Sequence, residues 1–222
     1  MGADPDFALA ASLLADPARA AMLARLMDGR SWTATELAKT AGVAPSTGSS
    51  HLARLLDQGW IVVHPQGRHR YFRLADEGIA SFLESFACIS HSPRARTPGE
   101  RQACAALRAC RLCYDHLAGR LGVAFTQSLL DRQWLDASFQ LTGAGRDGLE
   151  ARGLGLAVQP GRGCMDWSER RLHLAGPLGR ALADALLGAK WLQRDPGSRA
   201  LWVTPLGLDR LGQFPGLDFK EA

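Results

Sequence analysis

Residues 33–57 run Thr33-Ala34-Thr35-Glu36-Leu37-Ala38-Lys39-Thr40-Ala41-Gly42-Val43-Ala44-Pro45-Ser46-Thr47-Gly48-Ser49-Ser50-His51-Leu52-Ala53-Arg54-Leu55-Leu56-Asp57. Thr33 and Glu36 stand at capping-box spacing, where each side chain satisfies an amide that the helix start leaves unpaired. A short helix through Leu37, Ala38 and Ala41 then ends at Gly42, which accepts a left-handed turn. Pro45 restarts the chain near the first position of a second helix. Leu52, Leu55 and Leu56 form that helix's inner face. Its outer face shows Ser46, Thr47, Ser49, Ser50, His51 and Arg54, short hydrogen-bonding groups and one long cation. Two short helices joined by a glycine turn, the second polar outside, form a helix-turn-helix.

Upstream, residues 7–15 read as a buried helix of small residues, and Asp16-Pro17 opens another that places Ala21, Leu23, Leu26 and Met27 inward. Downstream, residues 60–64 and 70–74 are rich in β-branched and aromatic side chains. The stretch from Pro65 to His69 joins them as a turn with cations at its tip, so the pair predicts a wing. A helix over about 76–90, with Ile79, Phe82, Leu83 and Phe86 as its apolar stripe, has little to cover it within this half and predicts pairing with a second copy.

The chain has 222 residues, of which 46% are hydrophobic and 22% charged; these are globular proportions that exclude wholesale disorder. No stretch reaches the roughly 20 apolar residues of a membrane span, and the acidic start at Asp4 and Asp6 lacks a secretory n-region, so a cytoplasmic protein without membrane contact is expected. Residues 1–92 hold 8 basic and 9 acidic side chains, yet residues 46–73 carry Arg54, Arg68, Arg70 and Arg73 against Asp57 alone. A basic focus on a neutral body suits phosphate docking. Ser46, Thr47, Ser49, Ser50, His51 and Arg54 are therefore expected to read base edges of double-stranded DNA, with Arg68 and Arg70 on flanking phosphates.

Asp16-Pro17-Ala18-Arg19, Glu36-Leu37-Ala38, Val43-Ala44-Pro45-Ser46-Thr47, His51-Leu52-Ala53-Arg54-Leu55-Leu56 and Gly59-Trp60-Ile61-Val62 together resemble the ArsR/SmtB family of bacterial winged-helix repressors over about residues 5–90. The resemblance implies a homodimeric repressor on a palindromic operator, released by a metal ion, a metalloid, a thiol oxidant or a small ligand. That family's best-known thiol pair lies on the first helix of the helix-turn-helix, which here reads Glu36-Leu37-Ala38-Lys39-Thr40 without a cysteine. Cys88 and His91 lie three apart near the end of the expected dimer helix, but no further ligands accompany them.

Residues 92–101, with Pro93, Pro98 and Gly99, read as a linker. Beyond it, Ala44, Gly48, Leu55, Leu56, Trp60, Pro65 and Arg68 recur 131 positions later as Ala175, Gly179, Leu186, Leu187, Trp191, Pro196 and Arg199. This predicts a recognition-helix copy over 176–189 and a wing copy over 190–204. Pro177, Leu178, Arg180 and Ala181 now stand where the base-reading hydroxyls were, so the copy suits an effector or a partner subunit, or a purely structural dimerisation role. The expected fold is mainly α with small β-wings: a winged helix-turn-helix over 1–91, the linker, and a second, degenerate winged-helix-like domain over 102–222.

Five cysteines, an odd number in a chain that needs no staples, read as thiols or metal ligands. Cys110, Cys113 and His116 are each three apart and can converge on a helix. With Cys164 and His173, Cys113 and His116 make a Cys2His2 set suited to zinc or another thiophilic ion, with Asp115, Asp166 or Glu169 behind the ligands and Cys110 and Asp115 as further ligand candidates. Burial as core residues is the competing reading, and a thiol-reactive effector or an organic ligand keeps a share. The motifs Cys113-Tyr-Asp-His-Leu-Ala-Gly119 and Asp166-Trp-Ser-Glu-Arg-Arg171 resemble the C-terminal extension of a subgroup of ArsR-like regulators. Cys113, Asp115 and His116 are too crowded for a nucleophilic triad, and no phosphate loop or paired-carboxylate signature is present, so an enzyme is not expected. Trp134, Trp167, Trp191 and Trp202 read as core, or as the lining of an organic-ligand pocket. A protein-interaction module that no longer binds DNA is the alternative to a DNA-binding regulator.

Overall fold

The computed structural model describes residues 7–90, 97–214 and 216–217. The chain divides into two compact units, Met1–Ala80 and Ser81–Ala222. The division falls inside a helix, not in the stretch read as a linker. Residues 92–96 of that stretch, and His91 before it, lie outside the described residues, while its last four residues open a helix. No single helix among the described residues is long and apolar enough to cross a membrane.

In the first unit α1 (Phe7–Leu14) leads to α2 (Pro17–Leu26), whose start is held by the Asp16 carboxylate accepting from the backbone N–H groups of Ala18 and Arg19 at 2.9 and 3.0 Å. After β1 (Trp32–Thr33), the expected capping box forms at α3 (Ala34–Thr40): Glu36 N–H donates to Thr33 Oγ1 and Thr33 N–H to Glu36 Oε2. Gly42 turns the chain at φ +67° into α4 (Pro45–Asp57). Leu52 and Leu55 of α4 enter a core with Met22, Leu23, Leu26, Leu37, Ile61 and Leu74. Helices α3 and α4 approach so closely that a Cβ on Gly48 would lie 2.7 Å from Ala38 Cβ.

The wing comprises β2 (Ile61–Gln66) and β3 (His69–Leu74), antiparallel, with Gln66 opposite His69. Only Gly67 and Arg68 form the turn, which is shorter than the expected span of 65–69 because Pro65 stays in the ladder opposite Arg70. A third strand was not expected: β1 pairs with β3, Trp32 opposite Phe72. The Arg25 and Arg30 guanidinium groups stack on the Trp32 ring at 3.8 and 4.6 Å from its centroid.

Helix α5 (Glu77–Ile89) carries the chain across the boundary between the units. Phe82, Phe86 and Ile89 are exposed on it, and Glu84 is buried.

The second unit is built on a repeat that the sequence reading missed. Its elements are α6 (Pro98–Ala109), β4 (Arg111–Cys113), β5 (His116–Ala118), α7 (Gly119–Asp131), α8 (Gly143–Glu150), β6 (Arg162–Met165), β7 (Leu172–Ala175), α9 (Gly176–Gly188), β8 (Leu192–Arg194), β9 (Leu201–Val203) and α10 (Pro205–Leu211). The run His116-Leu-Ala-Gly-Arg-Leu-Gly122 recurs as His173-Leu-Ala-Gly-Pro-Leu-Gly179, and Trp134-Leu135 as Trp191-Leu192, each 57 positions on (116 to 173, 134 to 191). Both copies form a β-hairpin followed by a helix. A Cβ on Gly122 would lie 2.6 Å from Leu117 O, and one on Gly179 2.6 Å from Leu174 O, so the same backbone approach demands glycine twice. Each copy closes with a threonine cap. Thr142 Oγ1 donates to Gln133 O at 2.8 Å, and Thr204 Oγ1 to Lys190 O at 2.7 Å. The copies exchange partners, α7 packing on β7 and α9 on β5, which brings the two hairpins together at the centre.

Helix α9 followed by the β8–β9 hairpin has the recognition-helix-and-wing order that the offset of 131 predicts, but a β-hairpin precedes α9 where a helix-turn-helix has its first helix. Phe214 seals the core edge-on to Phe125 at 4.8 Å, against Trp134 and Trp191. Trp167 lies against Arg111 and Trp202 is exposed, so the four tryptophans do not line one pocket.

Candidate functional site

The polar face of α4 lies open. Ser46, Thr47, Ser49, Ser50 and Arg54 are exposed, while Gly48, Leu52 and Leu55 anchor the opposite side. Ser49 Oγ donates to Pro45 O at 3.0 Å and Ser50 Oγ to Ser46 O at 3.2 Å, which keeps each hydroxyl oxygen able to accept. His51 departs from the expected role: its ring turns inward, with Nδ1 3.3 Å from Arg19 Nη1 and 3.9 Å from Asp16 Oδ1. It braces α4 against the start of α2. On the wing Arg68 and Arg70 are exposed at and beside the turn, and Arg73 Nε donates to His64 Nε2 at 3.1 Å.

In the second unit Cys113, His116, Cys164 and His173 are all buried, and one ligating atom from each lies within 4.8 Å of the others. They converge by strand pairing, not along a helix face as the spacing suggested. Cys113 stands directly opposite His116 in β4–β5, and Cys164 directly opposite His173 in β6–β7. Directly opposed residues put their Cβ atoms about 5 Å apart on one face of a hairpin. A two-residue turn in one hairpin and a longer loop in the other therefore give the same Cys–His pair. The tight turn forces Tyr114 to φ +62°, a conformation β-carbon-bearing residues adopt at a cost.

Each imidazole is backed by a carboxylate. Asp115 Oδ1 lies 3.1 Å from His116 Nδ1. Asp166 Oδ2 lies 3.2 Å from His173 Nδ1, at ion-pair distance but off the line of a straight hydrogen bond. An ionised carboxylate only accepts, so the proton of each ring belongs on Nδ1 and the Nε2 lone pair turns to the centre. The two Nε2 atoms stand 3.2 Å apart. Two nitrogens bound to one tetrahedral zinc-like ion, at about 2.05 Å each, would stand about 3.3 Å apart.

The charge state fits the same chemistry. The Cys113 hydrogen bond, with His116 and His173 beside it, pulls the Cys164 thiol down to about 2 in spite of burial, which leaves a thiolate. Donation to Cys164, together with burial, pushes Cys113 well up. For His116 burial favours the neutral ring, but Asp115 and Cys164 outweigh it and the pKa rises. Burial raises Asp166, yet His173, Arg111, Ser168 and the Gly119 N–H hold it well below the usual carboxylate range.

Two expected candidates fall outside the centre. Cys110 ends α6 and is buried in the apolar core, where burial pushes its thiol up; it is packing. Asp115 stands behind His116 and not among the four. Cys88 Sγ donates to Glu84 O at 3.5 Å, and its expected companion His91 is not among the described residues.

A helix-turn-helix domain family matches residues 14–64. A curated relative, the uncharacterized HTH-type transcriptional regulator YdfF of Bacillus subtilis, is 39% identical over 213 residues, covering 92% of this chain and 94% of the relative. The chain belongs to the HTH-type transcriptional regulators. Solved structures similar to it include NolR from Sinorhizobium fredii (22% identical, 39% of this chain and 85% of that one, TM-score 0.35). Another is the cadmium metal-sensor CMTR from Mycobacterium tuberculosis (30% identical, 41% and 95%, TM-score 0.34).

In this regulator the matched residues fall within 5–90, the stretch that resembles the ArsR/SmtB family. Sequence reasoning missed the buried charges around its Cys/His centre. Arg111 is fully buried and donates through Nη2 to Glu84 Oε1 at 2.7 Å and to Asp166 Oδ2 at 3.0 Å, and through Nη1 to Ser168 Oγ at 3.1 Å. Arg199, read as a wing cation by analogy with Arg68, turns inward to Glu84 Oε2 at 3.3 Å and Leu112 O at 3.1 Å. No spacing signal marks these partners. The recurrence of His-Leu-Ala-Gly-x-Leu-Gly was the signal that could have paired the two hairpins.

Proposed function

We propose that this regulator is a homodimeric repressor that binds a palindromic operator through α4 and the wing and leaves it when the Cys113–His116–Cys164–His173 centre takes a thiophilic divalent ion such as zinc. The observation that carries the reading is the pair of carboxylate-backed imidazoles with Nε2 atoms 3.2 Å apart, converging with Cys113 and Cys164. That donor set suits zinc, and a bound ion would neutralise the charge that these groups otherwise bury.

On the DNA side, Ser46, Thr47, Ser49, Ser50 and Arg54 would meet base edges, with Arg68 and Arg70 on phosphates and His51 as a brace. The exposed Phe82, Phe86 and Ile89 of α5 support pairing with a second copy. The second reading, release by a thiol oxidant, draws on the low-pKa Cys164 beside Cys113: a peroxide would take two electrons, and the two thiols would become a disulfide.

Fluorescence anisotropy of the full chain on DNA from upstream of its own gene tests the reading, with zinc and, separately, with peroxide. Zinc-driven release that Cys113→Ser/Cys164→Ser abolishes supports the metal reading. Release by peroxide alone favours the oxidant, and no binding in any condition rejects the DNA role.

A further inference from the structure

The two hairpins present matching ligands to the centre, but their backing carboxylates differ. Asp115 is partly exposed, and its Oδ1 lies 3.1 Å from His116 Nδ1. Asp166 is buried and saturated: Oδ2 accepts from Gly119 N–H at 2.7 Å and Arg111 Nη2 at 3.0 Å beside His173 Nδ1, and Oδ1 accepts from Ser168 N–H and Oγ at 2.9 and 2.7 Å and from Glu169 N–H at 3.1 Å. Arg111 in turn places the same Nη2 2.7 Å from Glu84 Oε1. Glu84 belongs to α5, the helix that continues back across Ala80 into the first unit.

We propose that Glu84, through Arg111 and Asp166, positions the metal ligand His173 and thereby ties occupancy of the Cys/His centre to the placement of α5. The proposal rests on the metal reading above. Asp166 Oδ2 accepts from the Gly119 N–H and Arg111 Nη2 and also lies 3.2 Å from His173 Nδ1. An ion on Nε2 makes the His173 Nδ1–H a stronger donor and draws Asp166 Oδ2 towards it. The Arg111 guanidinium, unable to turn to water, then leans on Glu84. In a water-free setting each such exchange carries more energy than it would at a surface. Asp115 is not joined to Arg111 among the described residues, so the Glu84–Arg111 chain serves the His173 half-site.

The test uses the full chain, DNA from upstream of its own gene and Co2+ as a coloured stand-in for the ion. The wild type should show thiolate-to-cobalt and tetrahedral bands, and saturating Co2+ should lower its operator affinity by about tenfold or more, within the usual range of coupling between sites. Glu84→Gln should keep the bands, weaken Co2+ binding by about tenfold as outer partners of ligands do, and lose most of the operator shift even at saturation. Asp115→Asn should also weaken Co2+ binding but keep the full shift once saturated.

A full operator shift in saturated Glu84→Gln would overturn the proposal. Should that variant melt early, Glu84→Met/Arg111→Met removes both charges together, and a retained shift there overturns the proposal equally. A wild type that binds Co2+ without any operator shift rejects the tie to α5 and leaves the metal site standing. A wild type that takes up no Co2+ rejects the site and the tie with it.

Discussion

His116 Nε2 and His173 Nε2 face each other across 3.2 Å in the buried centre of the second unit, each ring backed at Nδ1 by an aspartate. Without an ion the two lone pairs face each other across that distance. With one, both nitrogens become ligands. The arrangement links the protonation of the centre to its loading, and each copy of the seven-residue pattern supplies one of the two histidines.

Proton release should follow from the unequal cysteines. Cys164 enters as a thiolate and Cys113 as a thiol, since one pKa is lowered and the other raised. His116, with its raised pKa, adds a proton at lower pH. Zinc binding should therefore release about one proton per ion near pH 8 and more as pH falls towards 6, measured with an indicator dye in weak buffer. Release of two protons at pH 8 would show that both thiols enter protonated.

Acid should weaken the fold through Asp166. Its folded pKa lies below the unfolded value, so its contribution is present above about pH 4 and is lost as pH falls through the folded pKa. Urea unfolding of metal-free protein at pH 7 and pH 3 should show a larger acid loss for the wild type than for Asp166→Asn. Equal losses would remove Asp166 from the account of acid stability.

Gly48→Ala should push α3 and α4 apart, since the new Cβ meets Ala38 Cβ at 2.7 Å. Overpacking of this kind costs about 1–3 kcal/mol, readable in urea, and operator affinity should fall with it. Unchanged stability would mean that the helix pair yields without strain.

The DNA contacts should separate by kind. Arg68→Ala should weaken every DNA sequence alike and reduce the salt slope by about one. Arg54→Ala should cost about 1–3 kcal/mol at particular base pairs. A sequence-specific loss in Arg68→Ala would reverse these assignments.

The first unit was legible because its signals are local. The capping box at Thr33 and Glu36, the turn at Gly42 and the leucines of α4 each act within a few residues, and each forms as read. The pairing of β1 with β3 joins Trp32 to Phe72, forty positions apart, and nothing near either residue announces it. In the second unit the four Cys/His residues could be named from their types, but not how they meet. Helical spacing suggested one face of a helix. Cross-strand pairing, with the hairpins exchanged between repeats, brings them together instead. His51 was misplaced for a related reason: its position on α4 is polar, yet Asp16 and Arg19, more than thirty residues upstream, draw its ring inward.

Elemental analysis of the purified full chain, beside the Cys113→Ser/Cys164→Ser variant, tests the centre most directly. The account predicts about one zinc-like ion per chain in the wild type and none in the variant, as a closed four-ligand site requires. A wild type that takes up no ion from a zinc-supplemented solution, or a variant that holds as much as the wild type, would contradict it.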